Sequence, residues 1–290
     1  MVGPLTGVVL VGVFTVKVGT AAAPETGTRT FPNLDFSAYP DAGSLSWQKT
    51  QRVFDAMTRL QLERSRVADA LVRHRRVAAR VFGRGTREIN ENMARAAGTW
   101  RTLESVRHSG TVQQLTTSLP NNAYFVEAGL QMVSVWNYSG VDPDARLMLS
   151  GEDPAVYFFG FAPVQMKITD GTSVLLDGPT IQGKVTVMEV RDTACLSAAR
   201  SYWDAVIATT YPCEAETAAL VDLSPRQRRI VTLMLTSSSD DQIARKLGVS
   251  VRTVRADIAA VLDLLDAPTR FVAGLRLRER LGMAVAGQTT

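Results

Sequence analysis

Near the C-terminus, Arg252, Thr253, Arg255, Ala256 and Ala259 fall within eight residues, interleaved with Val254, Ile258, Val261 and Leu265. The apolar set recurs at spacings of three and four, so on a helix it makes one stripe that must face a core. Arg252, Arg255, Ala256 and Ala259 fall on the opposite side. An arginine can bridge guanine O6 and N7 or grip a phosphate, and an alanine permits close approach to a thymine methyl. Two arginines and two alanines on one exposed helix face suit the major groove of double-stranded DNA.

Such a helix needs elements that hold it. Ser224-Pro225 reads as a helix start, with a hydroxyl to cap free N–H groups and a proline where its missing N–H is harmless. Ile230, Val231, Leu233, Met234 and Leu235 supply the apolar side of that helix, and Ser237-Ser238-Ser239 ends it. The next helix spans Asp240 to Leu247. Its acidic start suits the positive end of the helix dipole, and Ile243, Ala244 and Leu247 face inward. In Gly248-Val249-Ser250 the glycine can take a left-handed conformation, the valine plugs the core and the serine caps the third helix, Val251 to about Leu264. A fourth helix, Thr269 to Leu281, carries Phe271, Val272, Leu275, Leu277 and Leu281. Two short helices joined by such a turn predict a helix-turn-helix.

The stretches LSPRQRRIV and QIARKLGVSVRTVRADIAAV resemble the LuxR (FixJ or GerE) family over about sixty residues, a length set by the motif itself. The resemblance implies that Arg255 stands where the family has a base- or phosphate-contacting lysine, and Thr253 where it has a phosphate-contacting threonine. Ser250 and Arg226 are counted with Arg252, Thr253, Arg255, Ala256 and Ala259 as DNA-binding residues. Gln227 and Arg229 replace usual glutamates, and Asp257 replaces a usual histidine. An acid on a reading helix weakens binding unless it accepts from a cytosine amino group or pairs with an arginine.

Charge is distributed to match. Of 32 Lys and Arg, 11 lie from Asp222 onward, against 7 of the 28 Asp and Glu, so the rest of the chain is balanced at 21 of each. A localised basic excess is the footprint of phosphate neutralisation, although a solvated charged face gives the same count. Cys195 and Cys213 are far from any metal spacing and read as reduced, part-buried thiols; His74 and His108 have no ligating or triad neighbours. No cofactor and no metal are expected. Leu5–Val16 is apolar and is followed by Ala21-Ala22-Ala23-Pro24, which superficially resembles a secretory signal. No Lys or Arg precedes the run, and it is too short to cross a bilayer. Residues 1–46 therefore read as a poorly ordered or apolar extension, or as the product of an upstream start, with a linker from Thr20 to Ser46.

From Trp47 to about Val81, the residues Val53, Met57, Leu60, Arg64, Val67, Leu71, His74, Ala78 and Val81 follow a heptad. They predict either a coiled-coil seam or an ordinary amphipathic helix on a core. A second helix is expected with Ile89, Met93, Ala97, Trp100, Leu103 and Val106 on one face. From Thr111 the pattern turns to strands: Met132–Tyr138, Ala155–Phe161, Val164–Thr169, a hairpin turn at Asp170-Gly171, Thr172–Leu176 and Val185–Val190, then a helix over Leu196–Thr209. This succession resembles the end of the phospholipase-D-like sensor domain of many actinobacterial LuxR-type regulators, on Ile168, Asp170, Leu175, Leu176, Trp203 and Pro212. Such regulators often carry a TrmB-like winged helix ahead of this domain, and the first fifty residues here show no helix-turn-helix pattern. Phospholipase D chemistry needs H-x-K-x4-D with a nucleophilic histidine, and neither histidine precedes such a lysine, so the resemblance is to a catalytically dead domain.

The expected architecture is α+β and multidomain: an extension over 1–46, a helical, coiled-coil-capable region over 47–108, an α/β sensor domain over 109–216 and an all-α four-helix helix-turn-helix domain over 217–290. The expected function is non-enzymatic, cytoplasmic, sequence-specific transcriptional regulation by a homodimer on double-stranded DNA. A ligand or a partner would modulate DNA binding at the middle domain, any small-molecule effector being of unknown identity, with RNA polymerase a further candidate partner and no membrane contact. The alternative is a phosphodiesterase-like enzyme with a DNA-targeting tail. Neither a receiver domain nor an autoinducer pocket is recognisable.

Overall fold

The computed structural model describes residues 47–214, 222–234 and 239–280. The extension over 1–46 lies outside the described residues, as do Leu235 and Leu281. The chain divides into two compact units. One comprises 47–141 with 158–211; the other comprises 142–157 together with the described residues from 212 onward.

The first unit is built on a mixed sheet. In chain order its strands are β1 (Ala79–Arg84), β2 (Thr102–Arg107), β3 (Gln131–Asn137), β4 (Tyr157–Gly160), β5 (Met166–Thr169), β6 (Ser173–Asp177), β7 (Thr186–Val190) and β8 (Tyr211–Pro212). Their spatial order is β1-β7-β6-β5-β2-β3-β4-β8. β2 and β3 are parallel, whereas β2–β5, β5–β6, β6–β7 and β1–β7 are antiparallel. The β5–β6 hairpin is as expected: Asp170 and Gly171 have φ of 50° and 65°, the paired left-handed conformations of a tight turn. Asp170 Oδ1 also accepts from the backbone N–H of Arg101 and Thr102, at 2.8 and 3.0 Å, which fastens that turn to the start of β2.

Alternation along the strands assigns the two faces of this sheet. Val106, Val133, Val135, Met166, Ile168, Val174, Leu176, Met188 and Val190 join one core with helices α1 (Trp47–Val72) and α5 (Thr193–Ile207). The opposite set meets helices α2 (Gly85–Ala97) and α3 (Val112–Glu127). There, Leu175 and Val187 pack on Ile89 and Met93, while Ser105, Arg107, Ser134, Trp136 and Lys167 surround a cavity.

Of the two readings of the 47–81 heptad, the structure has the amphipathic helix on a core. Two expectations for residues 47–108, the extent of that helix and the place of Leu103 and Val106, are corrected. The heptad residues Val53, Leu60 and Val67 are wholly buried in the chain's own core beside α5, with Met57 and Leu71 packed against it, so the seam is an amphipathic face and is occupied. Arg64, a polar residue within that heptad, donates from Nε to the Asp177 carbonyl at 2.7 Å. The helix ends at Val72, His74 takes φ of 52°, and Ala78 and Val81 lie beyond it, Val81 on β1. Leu103 and Val106, expected on the second helix, lie on β2 because their three-residue spacing straddles both faces of a strand. A helix not expected at all is α3: its capping box of Thr111 and Gln114 is present, and Pro120 sits inside it.

The second unit contains α4 (Pro143–Ser150), α6 (Pro225–Met234), α7 (Asp240–Leu247), α8 (Val251–Leu264) and α9 (Arg270–Arg280). The expected 109–216 segment is therefore not one contiguous body, since α4, inserted between β3 and β4, packs with the C-terminal helices. Leu147 shares a core with Leu223, Val231, Val261, Leu265, Ala267, Ala273 and Leu277, and the Thr232 hydroxyl donates to the Leu147 carbonyl at 3.1 Å.

Candidate nucleic-acid interface

The C-terminal helices are set by their caps. At the start of α6, Ser224 Oγ accepts from the Gln227 N–H at 3.3 Å and Gln227 Oε1 accepts from the Ser224 N–H at 2.8 Å. This is a reciprocal capping box, so the glutamine at a position where glutamate was the pattern does the same work. Ser239 caps α7 by accepting from Gln242 N–H. Gly248 ends α7 with φ of 66° and ψ of 28°, and Ser250 caps α8 by accepting from Thr253 N–H at 3.1 Å. The turn thus fixes the entry of α8 through a glycine at a left-handed position and a serine three residues before its partner.

The inner face of α8 is the predicted stripe. Val254, Ile258, Val261 and Leu265 are each at most 4% exposed. Val254 and Ile258 pack with Ile230, Ile243 and Ala244, and Val249 is packed against that cluster. Arg252, Arg255, Ala256 and Ala259 are all exposed, Ser250 is exposed and Thr253 is half-buried, its hydroxyl 2.8 Å from that of Ser250. The structure therefore brings Arg252, Arg255, Ala256 and Ala259 onto the solvent side of one helix, with Ser250 and Thr253 at its start.

Two polar side chains behave in ways the residue pattern did not show. Asp257 is buried, 8% exposed, and receives a two-pronged contact from Arg226, Nε to Oδ2 at 2.6 Å and Nη2 to Oδ1 at 3.2 Å. The atypical acid is paired with an arginine, one of the two conditions under which it is tolerated. Arg226, expected among the DNA-binding residues, is engaged in tying α6 to α8. The second is Asp240 at the start of α7, which holds Arg255 through Nε at 3.1 Å and Arg270 through Nη2 at 2.8 Å. Burial pushes the Asp240 carboxyl up, but hydrogen bonds and charge from Arg270 and Arg255 outweigh it and hold the group below the usual carboxylate range. Arg255 keeps 69% of its side chain exposed, so its guanidinium is oriented by Asp240 yet accessible. This tether was not legible from spacing, because Asp240 and Arg255 are 15 residues apart and meet only after the turn forms.

On the fourth helix, Leu277 is buried and Val272 half-buried, whereas Phe271 and Leu275 are 75% and 37% exposed. Thr269 Oγ1 accepts from Val272 N–H and opens this helix.

Residues 214–264 match the Sigma-70, region 4 family. The match covers α6, α7, the turn and α8. The chain is also similar to the bialaphos biosynthetic pathway regulatory protein of Streptomyces hygroscopicus, 27% identical over 118 residues, 40% of this chain and 46% of that protein. The chain thus spans less than half the length of this relative. Among the described residues no helix is long and apolar enough to cross a membrane.

Proposed function

We propose that this protein is a DNA-binding transcriptional regulator of the LuxR type that reads double-stranded DNA with α8. The observation that carries this reading is a capped helix-turn-helix whose third helix has a fully buried apolar stripe and, opposite it, an exposed face of Arg252, Arg255, Ala256 and Ala259. The match to Sigma-70, region 4 supports the helix-turn-helix, and the similarity to a protein named as a pathway regulator supports regulation. Arg255 and Arg252 are the base or phosphate contacts, Ala256 and Ala259 the close-approach positions, and Ser250 and Thr253 hold the helix start and contribute hydroxyls to phosphate.

The regulator acts as a homodimer, since one reading helix covers too few base pairs for genomic specificity and paired half-sites supply the rest. With the α1 face buried, exposed apolar residues elsewhere supply the contact, and Leu264 at the end of α8, with Phe271 and Leu275 one turn apart on α9, are the exposed apolar residues in and next to the reading helix. The sheet unit is non-enzymatic and modulates DNA binding through a ligand. The test is selection of bound sequences from a random duplex pool, with the Arg252→Ala/Arg255→Ala double variant alongside. A two-half-site motif lost in the double variant is expected. A pool with no enriched motif, or equal binding by both proteins at fixed salt, would refute the reading.

A further inference from the structure

We propose that the sheet unit contains a binding site for a small oxyanion, a phosphate or carboxylate, in the cavity between strands β2, β3 and β5 and helices α2 and α3. The cavity has a volume of about 50 Å³. A water needs about 10–15 Å³ measured this way, so there is room for about four water-sized groups, the size of phosphate or acetate and too small for a nucleotide.

The lining has a one-sided charge. Arg107 and Lys167 both contribute to it, and no Asp or Glu among the described residues does. Arg107 is 7% exposed and lies over the Trp136 ring at 5.1 Å. Lys167 reaches Ser105 Oγ at 2.9 Å, which uses one of the three hydrogens of its ammonium. Ser105 and Ser134 line the same space and are 2% and 3% exposed. Two further donors on lining residues, Ser118 Oγ and the Trp136 indole nitrogen, are buried with no hydrogen-bond partner among the described residues. Buried donors without acceptors destabilise a fold, and buried like charges do so more strongly. One oxyanion offsets both, because it brings negative charge and several lone pairs to the same point.

The electrostatics agree with this geometry. Burial, with a smaller contribution from the Arg107 charge, lowers Lys167 to about 7, and burial lowers Arg107 to about 10. The site binds rather than catalyses: Gln165 stands two residues before Lys167, and no histidine lines the cavity. These donors converge only in the fold. Ser105 and Lys167 are register partners across the antiparallel β2–β5 pair, and Ser134 is the parallel partner of Ser105 on β3.

This assignment names the ligand class for the modulated regulator, and only its regulatory consequence rests on that reading. The test is thermal unfolding of the full chain, titrated separately with inorganic phosphate and with acetate against chloride at equal ionic strength. A saturable rise of several degrees with at least one oxyanion is expected, absent in Lys167→Met and in the cavity-filling Ser118→Leu. In wild type the same titration should shift one of the four tryptophan indole N–H resonances, assigned by Trp136→Phe, which keeps the test decisive if either variant fails to fold. No saturable rise, or one undiminished by the variants, or an unmoved Trp136 resonance, would overturn the site. If the oxyanion binds and DNA affinity is unchanged, the site stands and ligand modulation fails.

Discussion

Replacing Lys167 by methionine should make the sheet unit more stable, by an amount that shrinks as pH rises. The ammonium is held at about 7 in the fold against 10.5 for a free side chain, with burial the main cause and the Arg107 charge the lesser one. At about 1.4 kcal/mol per pH unit, keeping that group charged opposes folding by about 5 kcal/mol below pH 7. Between about 7 and 10.5 the unfolded chain binds the proton and the folded chain does not, so wild-type stability climbs with pH across that window. From pH 7 to 9 this one group contributes a gain of about 2 kcal/mol. Methionine has similar length and volume, no charge, and loses only the hydrogen bond to Ser105, a net effect of about 1 kcal/mol. The variant should therefore exceed wild type by several kcal/mol at pH 6.5, with the difference narrowing by about 2 kcal/mol at pH 9. Urea unfolding in buffers free of phosphate and carboxylate, followed by tryptophan fluorescence, measures this. The readout is local, because Trp47, Trp100, Trp136 and Trp203 all belong to the sheet unit. Parallel pH profiles for the two proteins, or a variant less stable than wild type at pH 6.5, would refute the buried-charge argument.

Arg255→Ala should weaken operator binding by about 1–3 kcal/mol if the side chain reads a base edge, measured by gel shift at fixed salt; unchanged affinity removes it from the interface. Asp257→Asn should lower the urea midpoint of the helical unit, because the charge-assisted contact to Arg226 is lost, with DNA affinity no higher than wild type. Tighter DNA binding with stability intact would instead mean that the acid faces the phosphates. Gly248→Ala should destabilise the helix-turn-helix by about 1–2 kcal/mol. No atom lies within 4 Å of the added carbon, so the effect is backbone strain at φ of 66° alone, and a neutral result in denaturant titration would exclude that conformation.

The helix-turn-helix was legible because its determinants are local. Ser224, Ser239, Gly248 and Ser250 each act within three or four residues of themselves, and the Val254–Leu265 stripe repeats on a single helix. The β5–β6 hairpin was legible for the same reason, through Asp170-Gly171. Where the pattern misled, two periodicities coincided. Trp100, Leu103 and Val106 are spaced like a helix face but belong to a loop and a strand, since β2 takes apolar contacts on both of its sides. Pro120 disguised α3, although the Thr111 and Gln114 capping box announced its start. The heptad of α1 was correct as a face and silent about its partner, which is α5 in the same chain. The cavity and the Asp240 and Asp257 tethers depend on residues brought together by register or by the turn. Spacing along the chain carries no record of those meetings.

The helical unit is written into the chain in two instalments, with α4 arriving before β4 and the remaining helices after β8. During synthesis α4 emerges about eighty residues ahead of Val231 and more than a hundred ahead of Leu265, the surfaces it will cover. A fragment beginning at Pro212, the natural place to cut a C-terminal tail, would leave that surface bare and the Thr232 hydroxyl without the Leu147 carbonyl. Grafting this DNA reader onto another protein therefore requires carrying α4 with it. Such a module resists exchange by simple end-to-end fusion, and its inheritance is tied to that of the sheet whose strands flank the missing piece.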